Sequence, residues 1–160
     1  MPPTEEGFKF LAEGNILEFN KWRMKNLTTR PDYTGRDFSG KDLSDAYMNG
    51  IVADGANFSH SILKRTNLVQ ASLNGANFES ADMTEALLMY AEMKGAHLNQ
   101  TVLYHANLMW ANLQGADFSQ SKLSRTIMVE ANLQNARIDC LDKASAYLKF
   151  ARLEGTRWSE

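Results

Sequence analysis

The side chains that most often carry catalysis or bind metals are few and scattered in this 160-residue sequence. Its three histidines are His60, His97 and His105, and their spacing matches no metal-ligand set. Cys140 is the single cysteine, so the chain forms no internal disulfide, which suits a reducing compartment. The sequence therefore predicts no metal site.

The carboxylates also fail to converge on one site. Asp82 and Glu85 are interspersed with basic residues, as on an ordinary solvated surface, namely Lys64, Arg65, Lys122 and Arg125. A phosphate-binding glycine loop is missing, because the glycines follow a long regular period instead. We therefore predict no catalytic residues and no cofactor, and we expect a protein that is not an enzyme.

Composition predicts a single soluble chain with its own core. Hydrophobic residues make up 44% of the sequence, and the formal net charge is −2. This balance favours neither direct nucleic-acid binding nor a strongly acidic mimic. The N-terminal residues lack the basic head and apolar run of a secretory signal, and no run of about 18 apolar residues predicts a membrane span. We expect a cytoplasmic protein without membrane association.

The dominant feature of the sequence is a five-residue repeat. Large apolar residues recur at every fifth position from Phe38 to Trp158, and 24 of these 25 positions are apolar, with Lys143 the exception. Two residues before most of them lies a small residue: 15 of the 25 positions from Arg36 to Thr156 are Ala, and six more are Ser or Thr. The register continues without an insertion, which indicates one regular repeat architecture.

A period of five fits neither an α-helix nor a flat strand. On an α-helix each step of five residues turns by roughly 140°, which spreads the apolar positions around the cylinder. On a flat strand an odd period sends them alternately to opposite faces. The repeat therefore predicts a chain that bends once per five residues and turns one large and one small residue inward on each side of a closed coil.

A second period predicts the number of sides. Two residues after the large apolar position, six of the seven slots on a 20-residue grid are glycine, and the seventh is Asn135. Among the nineteen other equivalent slots, only Gly40 and Gly50 are glycine. Gly and Asn tolerate positive φ, so we expect one corner of this kind per coil and hence four sides. About six coils, stacked roughly 4.8 Å apart, would form a rod about 30 Å long.

The repeat resembles the A-[D/N]-L-x-x motif of the pentapeptide-repeat family. Matching triplets include Ala76-Asn77-Phe78, Ala106-Asn107-Leu108 and Ala116-Asp117-Phe118. The resemblance covers roughly four fifths of the chain and implies an all-β fold, the right-handed quadrilateral β-helix, including its handedness. It implies less about function, since members include DNA-mimicking protectors of gyrase, parts of bacterial effectors and proteins with no assigned role.

Residues 1–30 depart from the repeat and predict an N-terminal helical cap on a β-helix that spans residues 31–160. Gly14 is expected to separate two short helices, and Asn15 to cap the second. The first coil would otherwise expose apolar core and unpaired backbone, so we expect its end to be covered by Phe19, Trp22 and Leu27.

Basic residues cluster in the second predicted helix, at Lys21, Arg23 and Lys25. We interpret them as a solvated helix face rather than a nucleic-acid site.

The C-terminal part of the repeat departs from the ideal pattern. Lys143 in a core slot and Leu141 in a small-residue slot predict a distorted last full coil. The large-residue series continues to Trp158, so either Trp158 closes the last coil or another molecule covers it. Cys140 falls in an outward slot, where we expect a small solvent-facing residue.

One of the four predicted sides is unusually apolar. Eleven of its eighteen outward slots hold apolar or aromatic residues, against six of 54 on the other three sides. A contiguous patch of this kind exceeds what monomers normally expose, and Met and aromatic residues are typical of interface cores. We name this side the apolar face; its eleven residues are Tyr47, Val69, Leu87, Met89, Tyr90, Met109, Trp110, Ile127, Val129, Tyr147 and Phe150.

The leading hypothesis is a non-catalytic protein–protein binding or scaffold module that uses the apolar face. The predicted partner-binding residues are Leu87, Met89, Tyr90, Tyr104, Met109, Trp110, Ile127, Val129 and Phe150. The partner is a second copy or a different protein. The alternatives are that the N-terminal segment folds over this face, or that the face has no binding role.

Two rival functions are weaker. A DNA mimic that acts on a topoisomerase needs a dense acidic track, whereas the acidic residues here alternate with basic ones. An enzyme needs a water-restricted cleft, which a rod with flat faces does not offer.

Overall fold

The computed structural model describes residues 3–140 and 142–158, without the side chains of Pro3, Lys143 and Trp158. Two α-helices come first, α1 (Pro3–Ala12) and α2 (Ile16–Lys25). Gly14 lies between them with φ of 70°, and the Asn15 side chain accepts a hydrogen bond from the Glu18 N–H at 3.3 Å, as an N-cap does. No helix in the described ranges has both the length and the apolar character that a membrane crossing requires.

The rest of the chain coils with a period of 20 residues. Parallel bridges join residues 20 positions apart, from Asp32–Val52 through to Asn132–Arg152. The last coil adds two short parallel strands, β1 (Arg137–Ile138) and β2 (Arg157–Trp158). The predicted coil length is therefore confirmed.

Each regular five-residue segment makes three backbone hydrogen bonds to each neighbouring coil. The Leu88 N–H donates to the Asn107 carbonyl at 2.7 Å, and the Asn107 N–H donates to the Ala86 carbonyl at 2.9 Å. Adjacent coils are therefore held at the spacing of neighbouring strands in a parallel sheet, about 4.8 Å.

The corners are tight turns with a left-handed residue. At one corner the Ala56 N–H donates to the Ala53 carbonyl at 3.1 Å, and Gly55 has φ of 64°. A positive φ at the third residue is the requirement of a type II turn.

Glycine is not what distinguishes the corners, contrary to our expectation. The other corners also have positive φ, with His60 at 59° and Trp110 at 58°. A Cβ atom added at Gly55 or Gly75 would meet nothing within 4 Å. The four-sided count is thus correct, but left-handed backbone occurs every five residues rather than every 20.

Where Asn or Asp precedes a large residue, its side chain stabilises the following turn. The Asn107 side-chain oxygen accepts the Met109 N–H at 3.0 Å, and the Asp117 oxygen accepts the Ser119 N–H at 2.8 Å. Such Asx turns explain why a short amide or carboxylate side chain recurs at this position.

The interior is filled by the large and small residues of the repeat. Ala86, Leu88 and Leu108 are fully buried. Phe38, Phe58 and Phe78 stack along the axis with ring centroids 4.9 and 5.0 Å apart. Hydroxyls in small-residue slots are satisfied by backbone: the Thr101 hydroxyl donates to the Phe78 carbonyl at 2.7 Å. The predicted inward positions are confirmed from Leu43 to Ile138, whereas Leu148 and Leu153 are half-buried.

The helical cap covers the first coil with Phe19 and Trp22, both buried, as expected. Leu27 does not take part, since 74% of its surface is exposed. The reason is local: α2 ends at Lys25, so Leu27 lies beyond the helix and off its buried side.

Arg23 is buried in this cap, which corrects its interpretation as part of a solvated face. Its guanidinium donates to the Tyr47 carbonyl at 3.1 Å, to the Asn49 carbonyl at 2.9 Å and to the Thr29 carbonyl at 3.0 Å. Burial lowers the pKa of Arg23, but the cation is retained by these acceptors. Arg23 therefore donates hydrogen bonds to backbone carbonyls of the first coil that have no preceding coil to bond.

The last full coil is distorted, as predicted. A 3-10 helix spans Lys143–Ser145, and the Arg125 N–H donates to the Ser145 carbonyl, 20 residues on, where regular corners use the residue 19 on. The Asp142 carboxylate replaces the missing carbonyl and accepts the Leu123 N–H at 2.8 Å and the Ser124 N–H at 3.0 Å.

Three C-terminal expectations lie outside the described parts of the chain, namely Leu141 and the side chains of Lys143 and Trp158. The Trp158 backbone is described and pairs with Ile138.

Candidate protein-binding face

The apolar face is built from rows, one per coil. Five of these rows are residues 67–70, 87–90, 107–110, 127–130 and 147–150. The second residue of the central rows points into the core, as fully buried Leu88 and Leu108 show. The first, third and fourth residues point outward, and bridges such as Leu87–Asn107 and Asn107–Ile127 stack each row on the next.

Two aromatic rings stack at the centre of this face. The Tyr90 and Trp110 ring centroids are 4.8 Å apart, with planes inclined by 12°. Tyr90 is 51% exposed and Trp110 is 41% exposed. Both rings therefore protect one another's faces while their outer edges remain in water.

The other predicted partner-binding residues surround this pair. Leu87 and Phe150 are exposed. Half-buried residues fill the remaining positions of the face, namely Met89, Met109, Ile127 and Val129. Tyr104, also half-buried, lies on the adjoining side, one residue before the corner at His105.

A shallow recess of about 530 Å³ opens at the C-terminal end of the face. Ile127, Val129, Tyr147 and Leu148 line it, with Lys149 at its rim. Its lining is almost wholly apolar, so it is suited to receive an aliphatic side chain.

The N-terminal helices do not cover these rows. On this side of the rod, the hydrogen bonds of α2 reach only the first coil, where the Asn20 side chain bonds the Asp45 carbonyl and the Tyr47 N–H. The exposure of Tyr90 and Trp110 is inconsistent with the intramolecular alternative.

Charged residues border the apolar face in alternation. Arg65 binds Asp45 through two hydrogen bonds of 2.8 and 2.7 Å, and these bonds lower the pKa of Asp45. Lys64 pairs with Asp82 at 3.1 Å. Opposite charges therefore neutralise one another along this border, in place of the acidic track that a DNA mimic requires.

The three histidines do not converge on one site. His60, His97 and His105 are all exposed and lie on separate ladders, and no cluster of three or more His, Cys, Asp or Glu is placed to hold a metal ion there.

Cys140 is buried, which corrects its prediction as a solvent-facing residue. It lies at a recess of about 450 Å³ together with Tyr104 and Lys122. The grid failed at this residue because the regular coil is interrupted nearby by the 3-10 helix Lys143–Ser145.

A coil of parallel five-residue segments with a helical cap defines a repeat solenoid. The chain also matches the family model of pentapeptide repeats, in eight copies, over residues 54–89, 67–103, 83–120, 91–128 and 106–139. These ranges cover more than half of the sequence, so the chain belongs to the pentapeptide-repeat family.

Solved pentapeptide-repeat structures resemble the chain and imply a right-handed quadrilateral β-helix. One is a protein of the Arabidopsis thaliana thylakoid lumen, 31% identical, with a TM-score of 0.51; the match covers 66% of this chain and 66% of that one.

Two further structures are less similar in sequence and support the fold alone. HetL, involved in heterocyst differentiation regulation in the cyanobacterium Nostoc sp. strain PCC 7120, is 21% identical, with a TM-score of 0.53 over 79% of this chain and 84% of that chain. QnrB1, a plasmid-mediated fluoroquinolone resistance protein, is 15% identical, with a TM-score of 0.51 over 80% of this chain and 84% of that chain. No curated protein matches the chain significantly.

Proposed function

We propose that this protein is a non-catalytic binding module that docks a protein partner on its apolar face. The observation that carries the proposal is the exposed Tyr90–Trp110 stack at the centre of the apolar face, next to Leu87, Met89 and Met109. Trp and Tyr are the residues that most often dominate binding energy at the centre of an interface.

The aromatic residues at one edge of the apolar face also support a binding role for this face. Tyr90, Trp110 and Phe150 have φ near 60°, a conformation that costs a non-glycine residue roughly 1–2 kcal/mol. Other corners use Gly, which avoids this cost, or polar residues such as Ser80 and Gln100. The fold does not require large aromatic side chains at one corner. We therefore attribute them to a role other than folding, namely binding.

The surroundings of the stack favour a protein surface over a small molecule. The face is flat and open, whereas small ligands are usually enclosed in a deep cavity. A flat apolar centre with a charged border at Asp45, Arg65 and Asp82 has the anatomy of a protein–protein interface.

The experiment compares the wild-type chain with a Met89→Glu/Trp110→Glu double variant. Both are tested for self-association by light scattering and as baits for proteins from the source cells, followed by direct binding of each purified captured protein. We expect the double variant to fold and to lose binding, because two carboxylates would be desolvated at the interface centre.

A Gln100→Glu/Gln120→Glu variant is the matched control. It adds the same two negative charges at another corner of the rod. Binding that survives in the control and is lost in the double variant supports the proposal. Equal binding by all three proteins would contradict it.

A further inference from the structure

The residue pattern of the apolar face complements itself, and we propose that its partner is a second copy of this chain, docked face to face with the two rods antiparallel. The inference rests on the proposed function and specifies its partner. The two-fold axis would cross the rods at right angles, through row 107–110.

Such an axis dictates which residues meet. Because this axis lies in the interface plane, it reverses the order of the rows along the rod. Each residue therefore faces the residue of the second copy that has the same position within its row. Row 107–110 then faces itself, and row 87–90 faces row 127–130. Row 67–70 faces row 147–150, where the recess of about 530 Å³ opens.

In the three central rows of this register, apolar residues meet apolar residues. Leu87 faces Ile127 of the second copy, and Met89 faces Val129. Met109 and Trp110 each face their own copy on the axis. The centre of the interface would thus hold two Trp110 side chains, each already stacked on Tyr90 at 4.8 Å.

The polar groups on the same face also find partners. Asn107 faces itself; its oxygen already accepts the Met109 N–H, which leaves its amide N–H groups for the oxygen of the second copy. Tyr90 faces Glu130, so the phenol can donate to a carboxylate. No buried polar group is therefore left opposite a methionine or leucine in the central rows.

Charge complementarity extends along the border. Glu85 and Arg125 are both exposed, and neither forms an ion pair within 4.0 Å among the described residues. The proposed axis places Glu85 opposite Arg125 of the second copy, twice per dimer. Arg65 is already held by Asp45 within its own chain.

Neighbouring arrangements conflict with this pattern. Moving the axis by half a coil towards row 87–90 sets Arg65 against Arg125 and Leu87 against Asn107. Moving it by a full coil sets Glu85 against Glu85. A parallel dimer with its axis along the rod places Asn107 against Met109, which leaves the amide unpaired. Like charges and unpaired amides disfavour each of these arrangements.

The test combines analytical ultracentrifugation with charge reversal. One face per protomer is a small interface, so the full chain is examined up to about 200 μM. Wild type should dimerise, and Glu85→Arg or Arg125→Glu alone should each weaken dimerisation at least about tenfold. Mixing the two variants should restore a heterodimer, because Arg at 85 then faces Glu at 125 and Arg125 faces Glu85. Restoration also shows that both variants are folded.

Cysteine cross-linking in a Cys140→Ser background then fixes the register. Met109→Cys should link to its own copy. Met89→Cys should link in a mixture with Val129→Cys and not with itself, since two copies of residue 89 would lie about 10 Å apart along the rod. Self-linking of Met89→Cys, or failure of the mixed charge variants to pair, would overturn the antiparallel dimer. If the wild-type chain is monomeric, the proposal that its partner is a second copy is wrong. The capture experiment with Met89→Glu/Trp110→Glu would then still decide whether the face binds another protein.

Discussion

Tyr90 and Trp110 lie 20 residues apart in sequence yet stack with ring centroids 4.8 Å apart, which is the spacing of adjacent coils. Each residue occupies a corner with positive φ, so the side chain projects outward from the turn. The stack therefore follows directly from the period of the coil once two aromatic residues occupy successive corners. Its consequence is a preformed aromatic surface that loses little side-chain freedom on binding.

Trp110→Ala should weaken association by about 2 kcal/mol, roughly 30-fold, because a central interface tryptophan is lost. The same change should leave the stability of the folded chain almost unaltered, since Trp110 projects away from the core. Association is measured by ultracentrifugation and stability by urea denaturation. A large loss of stability with unchanged association would contradict the assignment of Trp110 to the interface.

Replacing Leu108 by Asp should abolish folding, whereas replacing its neighbour Asn107 by Asp should be tolerated within about 1 kcal/mol. Leu108 is fully buried, and an unpaired charge there costs several kcal/mol. Aspartate at position 107 keeps the oxygen that accepts the Met109 N–H at 3.0 Å. Circular dichroism and urea denaturation of both variants check this pair. Equal damage from both changes would contradict the inward and outward assignment.

The coil was predictable because every repeat meets the same packing constraint. Leu88 and Leu108 occupy equivalent slots, so errors at single positions could not obscure the period. The reason for the glycine grid was wrong, because sequence spacing does not reveal that His60 and Trp110 also adopt positive φ. The position of Leu87, Tyr90 and Trp110 on one side followed from the register alone.

The two ends were less predictable, because they depart from the repeat. A signal for Arg23 was present: it lies four residues after Phe19, on the same helix face, which is buried. Cys140 and Asp142 gave no such signal, since the chain shifts by one residue at this turn and a fixed grid cannot represent that shift.

Asp142→Ala should open the last full coil. Its carboxylate accepts the Leu123 and Ser124 N–H groups at 2.8 and 3.0 Å, and their loss would leave two donors unpaired. We expect a destabilisation of about 1–3 kcal/mol and faster hydrogen exchange at residues 123 and 124. Asp142→Asn keeps one oxygen and should have a smaller effect.

The control for this change is Asp139→Ala, which removes a nearby exposed carboxylate that pairs with Arg137 at 3.3 Å. Unchanged exchange at residues 123 and 124 in Asp142→Ala would show that backbone carbonyls suffice for this coil.

The N-terminal coils should lose stability in acid through their Asx turns. Hydrogen bonds from the hydroxyl and N–H of Thr34 lower the pKa of Asp32, and Ser39 and Ser44 do the same for Asp37 and Asp42. Because the pKa values of the folded state lie below the unfolded value of about 3.9, this stability is fully present above that pH. It is lost as the pH falls through the lowered folded values.

An Asp32→Asn/Asp37→Asn/Asp42→Asn variant should therefore show a smaller fall in urea midpoint between pH 5 and pH 2.5 (approximate limits) than wild type. Asparagine keeps the accepting oxygen but does not titrate. A Glu79→Gln/Glu130→Gln/Glu154→Gln variant removes the same charge without touching these turns. An identical fall in the Asp variant and wild type would exclude the Asx turns as the source of acid sensitivity.

Arg23→Met should detach the helical cap from the first coil. Methionine matches the aliphatic stem but leaves the Tyr47, Asn49 and Thr29 carbonyls without their charged donor, which is bound at 2.9 to 3.1 Å in the native cap. Bonds to a buried charged donor contribute about 1.5–3 kcal/mol each in favourable cases, so we expect a loss of at least about 2 kcal/mol. Hydrogen exchange should accelerate in residues 33–50 and remain slow in the rows around Leu108. Lys21→Met, which removes an exposed cation paired with Glu18 at 2.7 Å, should change stability by less than about 0.5 kcal/mol. If both variants were equally stable, the carbonyl edge of the first coil would be satisfied without Arg23, and the cap would be held by its apolar residues alone.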